Sequence, residues 1–190
     1  MTGVPFNRYV IFSCILIVGC AADLATKSWI FSWPELRLGA THWLWPNHAG
    51  LQLSWNEGAL FGMGQGMVWL FAALSMAAAV AIPLWLFKFG AASDIWATAA
   101  LGCVMAGVFG NLYDRLGLHG ESWPLNDPRA GKTIYAVRDW ILIQASDQWR
   151  WPNFNIADSL LVVGAGLLFA RALLQTPQES GALAAPEIER

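Results

Sequence analysis

The chain has 190 residues, of which 56% are hydrophobic and only 13% charged, whereas an ordinary soluble domain carries about a quarter charged residues. A formal net charge of -2 with no basic run excludes the electrostatic footprint of a nucleic-acid binder. What remains is a small integral membrane protein with a single compact bundle.

In chain order, residues 9–22 form an apolar run that continues through Asp23 and Lys27 to about residue 33. At about 1.5 Å per residue this first span crosses a hydrocarbon core of about 30 Å. Its Ile17-Val18-Gly19-Cys20 stretch also resembles the end of a lipoprotein signal, which would make Cys20 a lipidated N-terminus. Apolar character continues past Cys20 and three more spans follow, which argues against that reading.

Residues 34–66 are aromatic and Gly-containing, are broken by Pro34 and Pro46, and include a short run, 51–55, that can alternate as a strand. They predict an extramembrane β-rich cap. The second span is 67–89, interrupted only by Pro83, which membrane helices tolerate with a kink. A polar turn at Lys88, Gly90, Ser93 and Asp94 leads to the third span, 95–113. There Gly102, Ala106 and Gly110 recur every four residues, so one face is bare enough for a neighbouring helix to approach closely.

Residues 116–138 are polar, with Pro124, Asp127-Pro128 and Gly131, and read as a long loop that extends, through a mixed stretch, to about residue 153. The fourth span, 157–174, opens at an N-cap candidate, Asn155. The predicted fold class is therefore an all-α membrane protein: four transmembrane helices, a small β-rich cap, and a long loop between helices three and four. Residues 1–175 form its single domain, and 176–190 are predicted to be a disordered tail.

Four spans put both termini on one side. Ten of the twelve tryptophans, all but Trp85 and Trp96, fall toward the other side, as an interfacial aromatic belt requires. Such crowding points to a cap that dips into the interface and handles something lipid-like. The Lys and Arg count runs against that orientation, because Lys27, Arg37, Arg115, Arg129, Lys132, Arg138 and Arg150 outnumber Arg8, Lys88, Arg171 and Arg190 on the termini side. Several of the former sit beside acids or in a site and are poor topological signals.

Cys14, Cys20 and Cys103 lie within apolar stretches and read as small buried residues. His42, His48 and His119 lack metal-ligand spacing, so no metal is expected.

The informative residues are polar ones in apolar surroundings, where an ionised group is costly unless compensated. Asp23 and Lys27 are four apart on one helical face, which suits a structural ion pair with Lys27 snorkelling to the interface. Asn111, Asp114 and Arg115 gather at the end of span three; a helix-end cap accounts for Arg115 but not for Asn111 a turn earlier. Asn56 reads as an ordinary turn residue when taken alone. Asp158 stands in the first turn of span four, where the helix dipole complements a carboxylate, and Asp139 comes from the far end of the preceding connection. If the two carboxylates meet, repulsion leaves one protonated near neutral pH, giving a general base to activate water and a general acid to protonate an amide nitrogen. Two other classes compete with this aspartic-peptidase arrangement: a proton-coupled small membrane transporter relaying through Asp23, Asp114 and Asp158, and an assembly partner using the Gly102-Ala106-Gly110 face.

The segments DLATK (23–27), NEGALFG (56–62), GNLYDR (110–115), VRDW (137–140) and FNIADS (154–159) stand in an order that resembles the lipoprotein signal peptidases, or signal peptidase II. Each is weak singly, whereas five in order on four spans are specific. The resemblance implies an aspartic endopeptidase of the bacterial inner membrane, with cytoplasmic termini, hence a cytoplasmic 176–190 tail, an extracytoplasmic cap and its site near the outer face. It would cut prolipoproteins just before the diacylglyceryl-modified cysteine, as a monomer in contact with membrane lipid, and be blocked by globomycin. By matched motif, Asp139 and Asp158 are the catalytic dyad, Asn56, Asn111, Arg115 and Asn155 line the site, and Asp23 and Lys27 support it. No metal or organic cofactor is implied. Leu24 stands where the family usually has Gln, and Arg138 replaces an apolar neighbour of the first aspartate, where it is expected to alter that carboxyl's acidity or meet lipid phosphate. The 116–136 connection is longer than the family pattern; it is either an enlargement of the cap or a tolerated surface insertion.

Overall fold

The computed structural model describes residues 3–58, 63–146 and 148–174. Four helices are long and apolar enough to cross a membrane: α1 (Phe6–Phe31), the pair formed by α3 (Val68–Pro83) and the π-helical turn Leu84–Lys88 that continues it, α4 (Ile95–Arg115) and α5 (Ile156–Leu174). A short α2 (Pro34–Arg37) begins the cap. Pro83 does not end its span; the backbone widens directly after it into the π turn, a common way to absorb the missing hydrogen bond.

Helix α4 is the central one. Two thirds of its apolar window (67%) is buried inside the protein, against 11%, 11% and 17% for the other three. Its N-cap, Asp94, accepts from the backbone N–H groups of Trp96 (2.7 Å) and Ala97 (3.2 Å) and pairs with Arg171 of α5. Small residues let its neighbours close in. A methyl group on Gly102 would lie 3.2 Å from Ile15 Cβ of α1, and one on Gly107 would run into the Ala157 carbonyl of α5. From the other side, Gly19 of α1 meets Ala106 and Gly164 of α5 meets Ala100. The small face expected at 102, 106 and 110 thus receives α1, while two further close approaches, Gly107 to Ala157 and Gly164 to Ala100, seat α5.

Where Gly110 lies, an added methyl would run into the Asp23 carboxylate. Gly110→Ala is expected to destabilise the protein by about 1–3 kcal/mol, read as a lower thermal midpoint in detergent, whereas Gly166→Ala, which meets nothing within 4 Å, should leave it unchanged.

The cap is more strand-rich than its sequence suggests. It holds a four-stranded antiparallel sheet in the order β1 (His42–Trp45), β2 (Ala49–Asn56), β3 (Val137–Ser146), β4 (Trp149–Arg150). A register irregularity between Leu51 and Ser54 sets Ser54 opposite Asp139 and Asn56 opposite Val137. The segment before α5 is then tied to β3: Trp140 and Ile141 both donate their N–H to the Phe154 carbonyl, at 3.0 and 2.9 Å. That seam brings the start of α5 against the strand carrying Asp139.

The 116–136 connection is a folded excursion and not a plain loop. Trp123 N–H donates to the Lys132 carbonyl and Gly131 N–H to the Trp123 carbonyl, each at 3.0 Å. Arg37–Glu121 and Arg129–Glu57 ion pairs pin it to the rest of the cap, and the Arg129 guanidinium lies 3.4 Å over the Trp123 ring. Its last residues, Ile134 and Ala136, are buried.

The cysteines differ from expectation. Cys14 is exposed on α1, and Cys20 and Cys103 are only half-buried. Apolar helix faces that would have to pack in water can face hydrocarbon instead, so an apolar neighbourhood in sequence does not imply burial in protein. The tail expected at 176–190 lies outside the described residues, as do Ala59 to Gly62 of the NEGALFG segment.

Candidate active site

Asp139 and Asp158 come together at the end of the bundle where the cap sits, joined by one asparagine. Asn155 caps α5 as expected: its Oδ1 accepts from the Asp158 N–H at 2.9 Å. The same side chain donates from Nδ2 to Asp139 Oδ1 at 2.6 Å. One amide therefore touches both residues of the pair and cannot rotate without breaking both contacts.

The Asp139 carboxylate has a second amide, and the Asp158 carboxylate has one of its own. Asn56, at the end of β2, donates to Asp139 Oδ2 at 3.1 Å, and Asn111 of α4 donates to Asp158 Oδ1 at 2.8 Å. Asn56 is more than a turn residue; its Oδ1 accepts from Gly58 N–H and from Gln65 Nε2, which holds the amide face toward Asp139. Gln65 was invisible as a site residue in sequence, since nothing marks it out in a Gly-rich turn.

Asp139 is 1% exposed. Burial first, and then the Asp158 charge, push its carboxyl up to about 8, against the opposing pull of the Asn56 and Asn155 amides and of Lys27. At neutral pH the pair therefore holds a proton.

Behind the aspartates lies a buried charge cluster. Lys27 Nζ is 2.7 Å from Asp23 and 3.2 Å from Asp114, and it donates to Asn111 Oδ1 at 3.0 Å. Both Asp23 and Lys27 have 0% exposure, so Lys27 does not snorkel. Its long stem is turned inward because the ammonium finds two carboxylates and an amide there, which outweighs the interface. Asp23 also accepts from the Ala157 N–H at 2.8 Å, so it braces the first turn of α5 as well.

Arg138 also departs from expectation. Successive strand residues point to opposite faces, so beside an inward Asp139 it faces α4. There its Nε and Nη2 donate to Asp114 Oδ1 at 3.0 and 2.8 Å, and its backbone N–H donates to Asp114 Oδ2 at 3.0 Å. It is 3% exposed, shielded from lipid phosphate. Asp114, not counted among the expected site residues, is thus the acceptor for two basic side chains; the signal available was its position one turn after Asn111.

Arg115 donates to the Gly58 carbonyl at 2.9 Å, while its buried Nε has no hydrogen-bond partner among the described residues. Leu24, where a polar residue was expected from the resemblance, lines an apolar cavity of about 640 Å³ between α1 and α4, lined by none of the dyad residues.

Two smaller cavities do reach the dyad. One of about 240 Å³, lined by Phe71, Leu74, Asn111, Arg115, Asp158 and Leu161 among others, opens between α3, α4 and α5. The other, about 300 Å³, lies on the cap and is lined by Gln52, Asn56, Gln65, Asp139, Arg150 and Asn153 among others. Among the described residues no group of three His, Cys, Asp or Glu side chains is placed to hold a metal ion.

Residues 15–174 match the family model for signal peptidase (SPase) II. The chain belongs to the signal peptidase II family. Its relatives include a lipoprotein signal peptidase of Rhodopirellula baltica, 48% identical over 169 residues, covering 88% of this chain and 74% of that one. Another, from Bifidobacterium adolescentis, is 40% identical over 157 residues, covering 83% and 73%. Among solved structures, a bacterial membrane enzyme at 2.3 Å resolution superposes with a TM-score of 0.69 at 22% identity, covering 97% of this chain and 99% of that one. The fold of this family member is therefore that of a bacterial membrane enzyme.

Proposed function

We propose that the chain is a membrane aspartic endopeptidase that removes the signal peptide of prolipoproteins by cutting before the diacylglyceryl-modified cysteine. The observation that carries this reading is the Asn155 side chain, which donates to the Asp139 carboxylate and accepts from the backbone N–H of Asp158. In the proposed reaction the ionised member of the pair takes a proton from water as the water attacks the scissile carbonyl. The protonated member donates toward the carbonyl oxygen, and the proton then passes to the amide nitrogen as the C–N bond breaks. No covalent intermediate or metal is required. Arg115 lines the inter-helical cleft next to Asp158, where its guanidinium, whose buried Nε has no partner among the described residues, can meet a substrate carbonyl.

The cleft between α3, α4 and α5 and the cap cavity give the substrate two differently suited arms. An apolar signal segment fits the cleft at membrane depth, and the mature chain leaves over the polar cap. We place the protein in the bacterial inner membrane as a monomer, with 1–175 as one domain, cytoplasmic termini and the cap at the outer face. The adverse Lys and Arg count loses weight there, because Lys27, Arg37, Arg129 and Arg138 are all held by carboxylates. Globomycin is the inhibitor expected to act. A proton-relaying transporter is less well supported: Asp23, Asp114, Asp139 and Asp158 gather in one network and are not strung across the bilayer.

Purified protein in detergent should convert a diacylglyceryl-modified prolipoprotein to a product whose new N-terminus is the modified cysteine, read by mass spectrometry. Intact substrate together with proton flux in liposomes would sink the proposal.

The pH dependence follows from Asp139. A carboxyl raised to about 8 favours its neutral form in the fold, so this group's contribution to stability is full at low pH and is lost as pH rises through about 8. Activity needs the shared proton, so kcat/KM should fall on an alkaline limb near pH 8. Asn56→Ala removes a donor to the charged form, and the limb should move to higher pH; a limb that stays or moves down contradicts the assignment.

A further inference from the structure

The cap cavity that reaches Asp139 holds a cation, Arg150, that makes no ion pair among the described residues. Arg150 of β4 donates from Nη2 to Gln52 Oε1 and, at 2.9 Å, to Asn153 Oδ1. Gln52 is held in turn by Thr41, to whose Oγ1 it donates at 2.8 Å, and Asn153 donates to the Gln52 carbonyl at 2.9 Å. The guanidinium is thus fixed by neutral partners. Elsewhere in the cap, Arg37 and Arg129 hold Glu121 and Glu57, whereas Arg150 pairs with no carboxylate among the described residues. Its Nη1 makes no hydrogen bond among them and remains able to donate.

This polar cavity and the apolar cleft meet the dyad from two sides. A signal segment before the scissile bond is apolar and is excluded from a pocket lined by Gln52, Ser54, Asn56, Gln65, Arg150 and Asn153. The chain after the scissile bond, released toward water, is what this pocket can receive. We propose that Arg150 is a specificity-determining residue that favours an acidic side chain within the first residues after the modified cysteine, which rests on the peptidase reading above. An arginine that makes no ion pair among the described residues attracts a carboxylate and repels an ammonium. Its exposure to solvent keeps the preference modest.

The test uses probes sharing one signal segment and one diacylglyceryl-modified cysteine, with Asp, Asn or Lys at the second or at the third mature residue. With full-length protein in detergent, kcat/KM for the Asp probe at one of these positions should exceed that for Asn by about three- to fivefold, with Lys slowest. Arg150→Gln should collapse the ratios, and Arg150→Glu should reverse their order. These are ratios within each variant, so partial loss of folded protein does not affect them. Equal cleavage of all probes by the unaltered protein, or ratios that survive in Arg150→Gln, overturns the role of Arg150 and leaves the peptidase reading intact. Failure to cleave any probe overturns the peptidase reading and this inference with it.

Discussion

Asp139→Asn and Asp158→Asn should each lower the rate of prolipoprotein cleavage by about a hundred- to ten-thousand-fold, the range associated with losing a general acid or base. The two act as a unit, so the double variant should lose little more than either single one. Asparagine keeps the shape of the side chain, and its one oxygen can still accept from an amide beside it. It also can never carry the second charge, in a site where burial and the partner carboxylate already disfavour one. Thermal unfolding of both variants is therefore expected at or above the midpoint of the unaltered protein. That combination, a dead enzyme that is no less stable, separates a catalytic pair from a structural one. Full activity in either folded variant would remove that residue from the chemistry.

Lys27→Met should produce the opposite pattern, a large loss of stability. Lys27 is the only basic side chain within ion-pair distance of Asp23 among the described residues, and both are sealed from solvent. Removing one member of such a pair leaves an uncompensated buried charge, at a cost of about 3–5 kcal/mol. Asn111 also loses one of the two donors to its Oδ1, leaving only Asn155 Nδ2 at 3.2 Å to hold its amide toward Asp158. Thermal unfolding and yield from membranes are the measurements. Adding Asp23→Asn should recover part of the stability, because it removes the orphaned charge. A Lys27→Met protein as stable as the original would show that the cluster does not hold the bundle together.

Much of this was legible in the sequence, and the reasons for the gaps are local. The four spans follow from apolar length alone, and the Asn155 cap from its place just before the last of them. Strand β3 was not legible because Val137, Arg138 and Asp139 are all buried. Where both faces of a strand are covered, apolar and polar residues no longer alternate, and two charged residues in succession look like loop. The partners of Lys27 were hidden for another reason. Helical spacing reveals only Asp23, four residues before it, whereas Asn111 lies 84 residues away and reaches Lys27 only through the packing of α1 on α4. Arg138 was misread because its sequence neighbour is the catalytic candidate while its spatial neighbour is Asp114.

The pairing of Arg138 with Asp114 also bears on how the protein comes into being in a bilayer. Helix α1 carries Asp23 and its own counter-charge Lys27, so it enters hydrocarbon electrically balanced by itself. Helix α4 brings Asp114 to Lys27, which is already paired with Asp23, and the arginine that hydrogen-bonds Asp114 directly, Arg138, lies 24 residues further along the chain. The next residue after Arg138 is Asp139. The strand segment that supplies this partner thus delivers Asp139, one of the two proposed catalytic aspartates, in the same docking event, so the fold and the candidate site are finished together.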